Sequence, residues 1–189
     1  MVTNRHIGSP VERVEDLRFL RGRGEYIDDV ERERQLHAVV LRRQIAHGRI
    51  RSIDTKPALR MPGVHSVITA ADIGSPVPTV NIRLQPMPSL VPFQQPVMAH
   101  GKVRYVGEPI ALVLADSVAM AEDAANAIEV DIDPLPVITD RHASARDETL
   151  LFERHGSNQP VKYTAVLGDA TSAFRDGPQI RRVEFRVKH

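Results

Sequence analysis

An uninterrupted apolar run that begins at Ile110 and ends at Ala115 most constrains the fold of this chain. Such a run is typical of a strand buried on both faces. An alanine-rich segment follows, which begins at Ser117, a residue suited to cap a helix, and ends at Ile128. Residues 129–133 then alternate polar and apolar side chains, which predicts a strand with one wet face. The sequence therefore predicts a central β-α-β unit formed by residues 110–115, 117–128 and 129–133.

The spacing of side chains in the predicted helix indicates which face is buried. One face carries the residues that recur at helical intervals, which are Val118, Ala121, Ala125 and Ile128. The opposite face carries Glu122 and Asp123, which we expect to lie in water. Because the buried face is rich in alanine, we expect a sheet to approach the helix closely.

The rest of the chain reads as short strands and helices around long irregular segments. Residues 1–30 are polar and rich in arginine, which predicts an extended arm with one helical turn near residues 14–19. Residues 74–96 contain six prolines and predict a long loop, which is either a plain surface loop or an arm that contacts a partner. The other predicted elements are strands at 36–41, 49–54, 64–69, 161–167 and 180–187, and helices at 55–61, 70–73 and 169–174. A tight connection at residues 46–48 joins the first two strands. Short consecutive strands with two or three helices indicate an α+β fold.

Composition excludes several classes of protein. The length of 189 residues suits one large domain or two small ones, and 42% hydrophobic residues suffice for a core. A net charge of +1 argues against a dedicated nucleic-acid binder, and no apolar run is long enough to span a membrane. The first ten residues lack the apolar region of a secretion signal, so we expect a cytoplasmic location. Cysteine is absent, which excludes disulfides, thiolate metal sites, iron–sulfur ligation and a cysteine nucleophile within this chain.

Few motifs carry chemistry. Gly22, Arg23 and Gly24 resemble the start of a dinucleotide-binding loop, but Ile27 replaces the third glycine and no strand precedes them. His47, in the predicted turn, is either a ligand or base, or a side chain that caps the turn by hydrogen bonding.

Two acidic groups allow similar alternatives. The cluster of Asp28, Asp29, Glu31 and Glu33 either binds a cation or is a solvated charge cluster interleaved with arginines. Asp131 and Asp133 either pair as acids or form the wet edge of their strand. No two histidines are spaced as a helical pair with a nearby acid, so the sequence does not indicate a zinc site.

Five segments in order resemble the N-terminal α/β-hammerhead domain of the molybdenum hydroxylases, the family of xanthine dehydrogenase, aldehyde oxidase and the aerobic carbon monoxide dehydrogenase large subunit. They are RVEDLRFLRGRGEYIDDV at 13–30; LHAVVLRR at 36–43 with AHGRI at 46–50 and ID at 53–54; MPGV at 61–64 with VITAAD at 67–72; VRYVGEPIALVLAD at 103–116; and LGD at 167–169 with AF at 173–174. The residues of the first segment are most similar to those of the carbon monoxide dehydrogenase branch. The chain departs from the family at Gln44 and Ile45, where Ser-Pro is usual, and at residues 139–145.

The resemblance implies an α/β-hammerhead at residues 31–145, preceded by the arm and followed at 146–189 by the truncated start of the molybdopterin-binding region. It implies the N-terminal part of a large subunit whose assembled enzyme hydroxylates aldehydes, N-heterocycles or similar small substrates with water. It places molybdopterin in the complete large subunit, and iron–sulfur clusters and FAD on partner chains or domains. The expected partners are the remainder of the molybdenum-binding subunit and the iron–sulfur and FAD subunits, with no nucleic acid or membrane. In the family, the active-site segments come later in the sequence than the part that this chain matches. No active-site residue is therefore assigned to this chain from the resemblance. The alternative is a stand-alone, non-catalytic hammerhead module.

Overall fold

The computed structural model describes residues 8, 12–81, 87–162, 164–183 and 185. The strands are β1 (His37–Arg42), β2 (Gly48–Asp54), β3 (Val64–Thr69), β4 (Lys102–Val103), β5 (Pro109–Ala115) and β6 (Glu129–Pro134). The α-helices are α1 (Asp16–Leu20), α2 (Lys56–Leu59), α3 (Ala70–Ile73), α4 (Val118–Ala127), α5 (Arg141–Ala145) and α6 (Ala170–Asp176). Short 3₁₀ turns cover Ile27–Asp29, Pro88–Phe93 and Glu153–His155. These elements give the predicted α+β architecture.

The strands alternate between two small sheets as the chain proceeds. Sheet A has the order β1-β5-β3 and sheet B has the order β4-β2-β6, so odd strands form one sheet and even strands the other. All pairs are antiparallel. The predicted order strand–helix–strand at residues 110–133 is confirmed, but its two strands do not pair with each other. β1 and β2 likewise lie in different sheets, although their connection is short.

Helix α4 packs across sheet A and joins the last strand of sheet A to the last strand of sheet B. Its N-cap is Ser117, whose hydroxyl accepts a hydrogen bond from the Met120 N–H. Ala121, Ala124 and Ala125 are buried against β1, β5 and the short helix α2. Because alanine ends at Cβ, the helix backbone lies close to the sheet, as the sequence predicted.

The prediction of the buried face of α4 is wrong at one residue, Val118. Val118 remains 49% exposed, whereas Ala121, Ala125 and Ile128 are buried and Glu122 and Asp123 are exposed. Val118 is the first residue of the helix. Periodicity reports the direction in which a side chain points, but not how far along the helix the sheet extends.

The long proline-rich loop is anchored at its two ends. The Val97 N–H donates to the Pro78 carbonyl (2.9 Å), and the Val80 N–H donates to the Gln95 carbonyl (2.8 Å). Within the loop, the Phe93 ring lies edge-on to the Phe152 ring at 5.4 Å between centroids. The loop therefore packs partly on its own domain.

The C-terminal region forms the predicted helix but not the predicted strands. Helix α6 is capped by Asp169 as expected, since its carboxylate accepts the Ser172 N–H. The described residues within 161–167 and 180–187 form no strand, and the remaining residues of those ranges lie outside the description. Short apolar alternation in this region fits a strand only when a partner strand is available. In the described part of the chain, no helix combines the length and the apolar character needed to cross a membrane.

Candidate functional site

The turn between β4 and β5 encloses a buried carboxylate. Glu108 has no exposed surface, and its Oε2 accepts the Arg104 backbone N–H at 2.5 Å. Gly107 permits this sharp turn because its φ is +82°, and its N–H donates to the Arg43 carbonyl at 3.1 Å. Among the described residues, Oε1 of Glu108 has no hydrogen-bond partner. Burial therefore raises the pKa of the Glu108 carboxyl, and the Arg104 N–H opposes this only in part.

His47 lies in the link between β1 and β2 and is also buried, with 3% of its surface exposed. Its Nδ1 lies 2.6 Å from the carbonyl oxygen of Pro136. A carbonyl only accepts, so Nδ1 is the donor in this contact. The Leu135 N–H donates to the backbone carbonyl of His47, which closes the same contact (3.0 Å). His47 thus fixes the turn to the segment after β6, and the backbone carbonyl that its ring contacts belongs to that segment and not to the turn itself.

An ionic contact ties the segment after α5 to sheet B. The Nζ of Lys102, on β4, is almost fully buried and lies 3.1 Å from Oε1 of Glu153. The same oxygen accepts from Arg49 on β2 at 3.2 Å. The hydrogen bond from Lys102 is the main reason that the pKa of Glu153 is lowered. Arg104 adds a bond from Nε to the Leu151 carbonyl at 3.2 Å, and its guanidinium lies 5.1 Å from the Phe152 ring centroid.

An open cleft of about 400 Å³ adjoins this contact. Its polar lining includes His100, Arg104, Arg154 and His155, and its lining residues contain no carboxylate. Phe152 and several prolines of the proline-rich loop form its apolar walls. The cleft is therefore positive, but it contains no paired nucleophile and base and no ligand set for a metal.

The structure shows what several residues of the glycine motif and of the acidic groups contact. Gly22 terminates α1, with φ +66° and its N–H donating to the Phe19 carbonyl, so it is a helix C-cap and not a phosphate loop. Asp29 caps a 3₁₀ turn by accepting the Tyr26 N–H. Asp133 pairs with Arg51 at 2.6 Å, as expected for the wet edge of a strand. Among the described residues, no three His, Asp or Glu side chains converge as a metal site requires.

Sequence reasoning did not single out Glu108 or the Lys102–Glu153 contact. A glutamate placed directly before a buried apolar strand was the available signal for Glu108, since the strand carries its neighbours into the core. The Lys102–Glu153 contact has no local signal, because its partners are far apart in the sequence.

Comparison with known proteins decides the family. The aldehyde oxidase and xanthine dehydrogenase a/b hammerhead domain matches residues 21–136. The chain belongs to this family. The match covers both sheets, α4 and the Glu108 turn, so the hammerhead fold expected from the resemblance is confirmed.

Related proteins are subunits of larger enzymes. The chain is 36% identical over 179 residues to the nicotine 6-hydroxylase large subunit of Paenarthrobacter nicotinovorans, covering 95% of this chain and 22% of that protein. It is 41% identical over 126 residues to the carbon monoxide dehydrogenase large chain of Hydrogenophaga pseudoflava, covering 67% of this chain and 15% of that one. Among solved structures, reconstituted CO dehydrogenase from Oligotropha carboxidovorans superimposes with a TM-score of 0.61 at 41% identity, covering 72% of this chain and 16% of that one. The chain therefore spans only 15% to 22% of the length of these relatives.

Proposed function

We propose that this chain is the N-terminal part of a molybdenum hydroxylase large subunit and is a structural domain of that enzyme. The observation that carries the proposal is the family match over residues 21–136, together with relatives that are themselves large subunits or chains. The assembled enzyme hydroxylates aldehydes, N-heterocycles or similar small substrates with water. The assembly is cytoplasmic.

The donor groups of this chain do not fit the metal groups of such an enzyme. The sequence has no cysteine, so it offers no ligand to an iron–sulfur cluster. Within the described residues, no cluster of His, Asp or Glu offers a metal site. From the resemblance, we assign molybdopterin to the remainder of the large subunit, and the iron–sulfur clusters and FAD to partner chains or domains.

We propose the division of the chain that the resemblance implies. Residues 1–30 form an arm, 31–145 the hammerhead domain and 146–189 the start of the next region. Large apolar side chains of the arm are exposed, among them Leu20 (84%) and Ile27 (91%). Leu167 is 100% exposed in the C-terminal region. Exposed apolar side chains at both ends favour contacts with the remainder of the subunit and with its iron–sulfur and FAD partners.

The first test uses the purified chain alone. We expect no bound molybdenum by metal analysis and no oxidation of aldehydes or N-heterocycles, because catalysis requires the remainder of the subunit. Molybdenum in near-stoichiometric amount on this chain would contradict the proposal.

The second test places the domain in a relative. Residues 21–136 replace the matched segment of the Hydrogenophaga pseudoflava large chain, and the same chimera with Ala125→Arg is the matched control. We expect the first chimera to accumulate as a folded large chain with bound molybdenum, and the control to be insoluble. A chimera that fails to fold, while the isolated domain and the parental large chain both fold, would refute the proposal.

A further inference from the structure

The two faces of sheet A are covered very differently. Alternate residues of the central strand β5, which are Ala111, Val113 and Ala115, are fully buried in the cluster that contains the α4 alanines. The residues between them, Leu112 and Leu114, point to the other side of the sheet. Neither belongs to a buried cluster of the described residues, and both are only half-buried.

Cross-strand neighbours extend this second side into an apolar surface. Val40 on β1 and Ile68 on β3 flank Leu112, and Ala38 on β1 and Ser66 on β3 flank Leu114. We call these six residues the outer face. Val40 is 38% exposed, and no member of the outer face is charged. At one end the outer face stops at Ile110, which is fully buried against residues of sheet B.

The outer face is unusual for a surface that remains in water. Antiparallel sheets with one solvated face normally alternate apolar and polar residues along their strands. β5 instead carries leucines on the side away from α4, as strands covered on both faces do. Helices α4 and α2 do not pack over these leucines, since both lie on the side of the α4 alanines. The strand thus has the composition of a buried element, while Leu112 and Leu114 on one of its faces are only half-buried and belong to no core cluster of the described residues.

We infer that the outer face is an interface covered by a part of the large subunit that lies outside the segment contained in this chain. The inference rests on the proposed function. Two observations indicate the occupant. The chain spans only 22% and 15% of the length of its two reported relatives, so most of such a subunit lies outside this segment. An uncharged apolar surface is also typical of permanent contacts rather than of exchangeable ones.

The first experiment asks whether the outer face is open in the isolated chain. The sequence has no cysteine, so single thiols introduced by Leu114→Cys and Val40→Cys report on their own sites. Val113→Cys, on the α4 side of the same strand, is the matched control. We expect both outer-face thiols to react with a maleimide at least about a hundredfold faster than the control, since a buried site reacts only through rare opening. Equal protection of all three thiols in a verified monomer overturns the inference.

Charged substitutions provide a second reading in the same chain. Leu114→Glu and Val40→Glu should melt within about 4 °C of the unsubstituted chain, whereas Val113→Glu should unfold it. Unfolding by both outer-face variants means that the domain covers this face itself, which overturns the inference. If the unsubstituted chain is a dimer and both outer-face variants are monomers, a second copy of the chain is the occupant. That result also overturns the inference.

The chimera with the Hydrogenophaga pseudoflava large chain identifies the occupant. We expect Leu114→Glu and Val40→Glu to abolish accumulation of the folded chimera, while Glu122→Arg on the wet face of α4 leaves it unchanged. Folding of the outer-face variants at the level of the unsubstituted chimera refutes the inference and leaves the proposed function intact. If the unsubstituted chimera does not fold while the isolated domain and the parental large chain both fold, the proposed function fails and the inference falls with it.

Discussion

Replacing Ala125 with arginine should unfold the domain, whereas the same replacement at Glu122, three residues earlier on α4, should be tolerated. Ala125 is 5% exposed and packs in the cluster between α4 and sheet A, while Glu122 faces water. An arginine at 125 overfills a closely packed contact, at a cost of about 1–3 kcal/mol. It also places a charge without a partner in the core, which costs several kcal/mol more.

The sum is comparable to the whole stability of a domain, which is about 5–15 kcal/mol. Glu122→Arg should change the free energy of unfolding by no more than about 0.5 kcal/mol. Thermal melts followed by circular dichroism provide the measurement, since 1 kcal/mol shifts the melting temperature of a chain this size by about 2–4 °C. Equal melting temperatures for the two variants would show that the assigned faces of α4 are wrong.

Three further predictions concern single features. Ser117→Ala removes the acceptor for the Met120 N–H and should lower the stability of the domain by about 1 kcal/mol, whereas Ser117→Asp keeps an N-cap. Equal losses of melting temperature for the two variants would exclude the cap as the cause. The raised pKa of Glu108 means that the native state binds the proton more tightly, so stability falls as pH rises from 4.5 through that raised value. Denaturant titrations should therefore show that the free energy of unfolding of Glu108→Gln rises relative to that of the unsubstituted chain between pH 4.5 and 7. A difference between the two chains that stays constant over this pH range would contradict the prediction. Hydrogen exchange should be fast in residues 12–30 of the isolated chain, because this part of the arm buries little. Strong protection of these residues in a monomer would assign the arm to the domain's own core.

Local sequence patterns predicted where the helices and strands lie more reliably than which strands pair with each other. The alanine spacing and Ser117 placed α4 within one residue at each end, and the apolar run placed β5. The assignment of β5 and β6 to different sheets could not be predicted in this way, because pairing depends on residues far apart in the sequence. The same limit applies to the Lys102–Glu153 contact. Strands predicted beyond residue 160 were wrong where the structure describes them, since alternation alone does not provide a partner strand.

The alternation of strands between the sheets determines when the domain can fold during its synthesis. β1 and β3 are made early, yet among the described strands each pairs only with β5, so sheet A has no central strand until residue 115 has been added. Sheet B gains its longest pairing only with β6, which ends at Pro134. Contacts that span so much chain form slowly, because the entropy of closing long loops is lost before the contacts form. A ribosome-bound chain shorter than this exposes unpaired apolar strands, and we expect its protection from aggregation to depend on chaperones until both late strands have emerged.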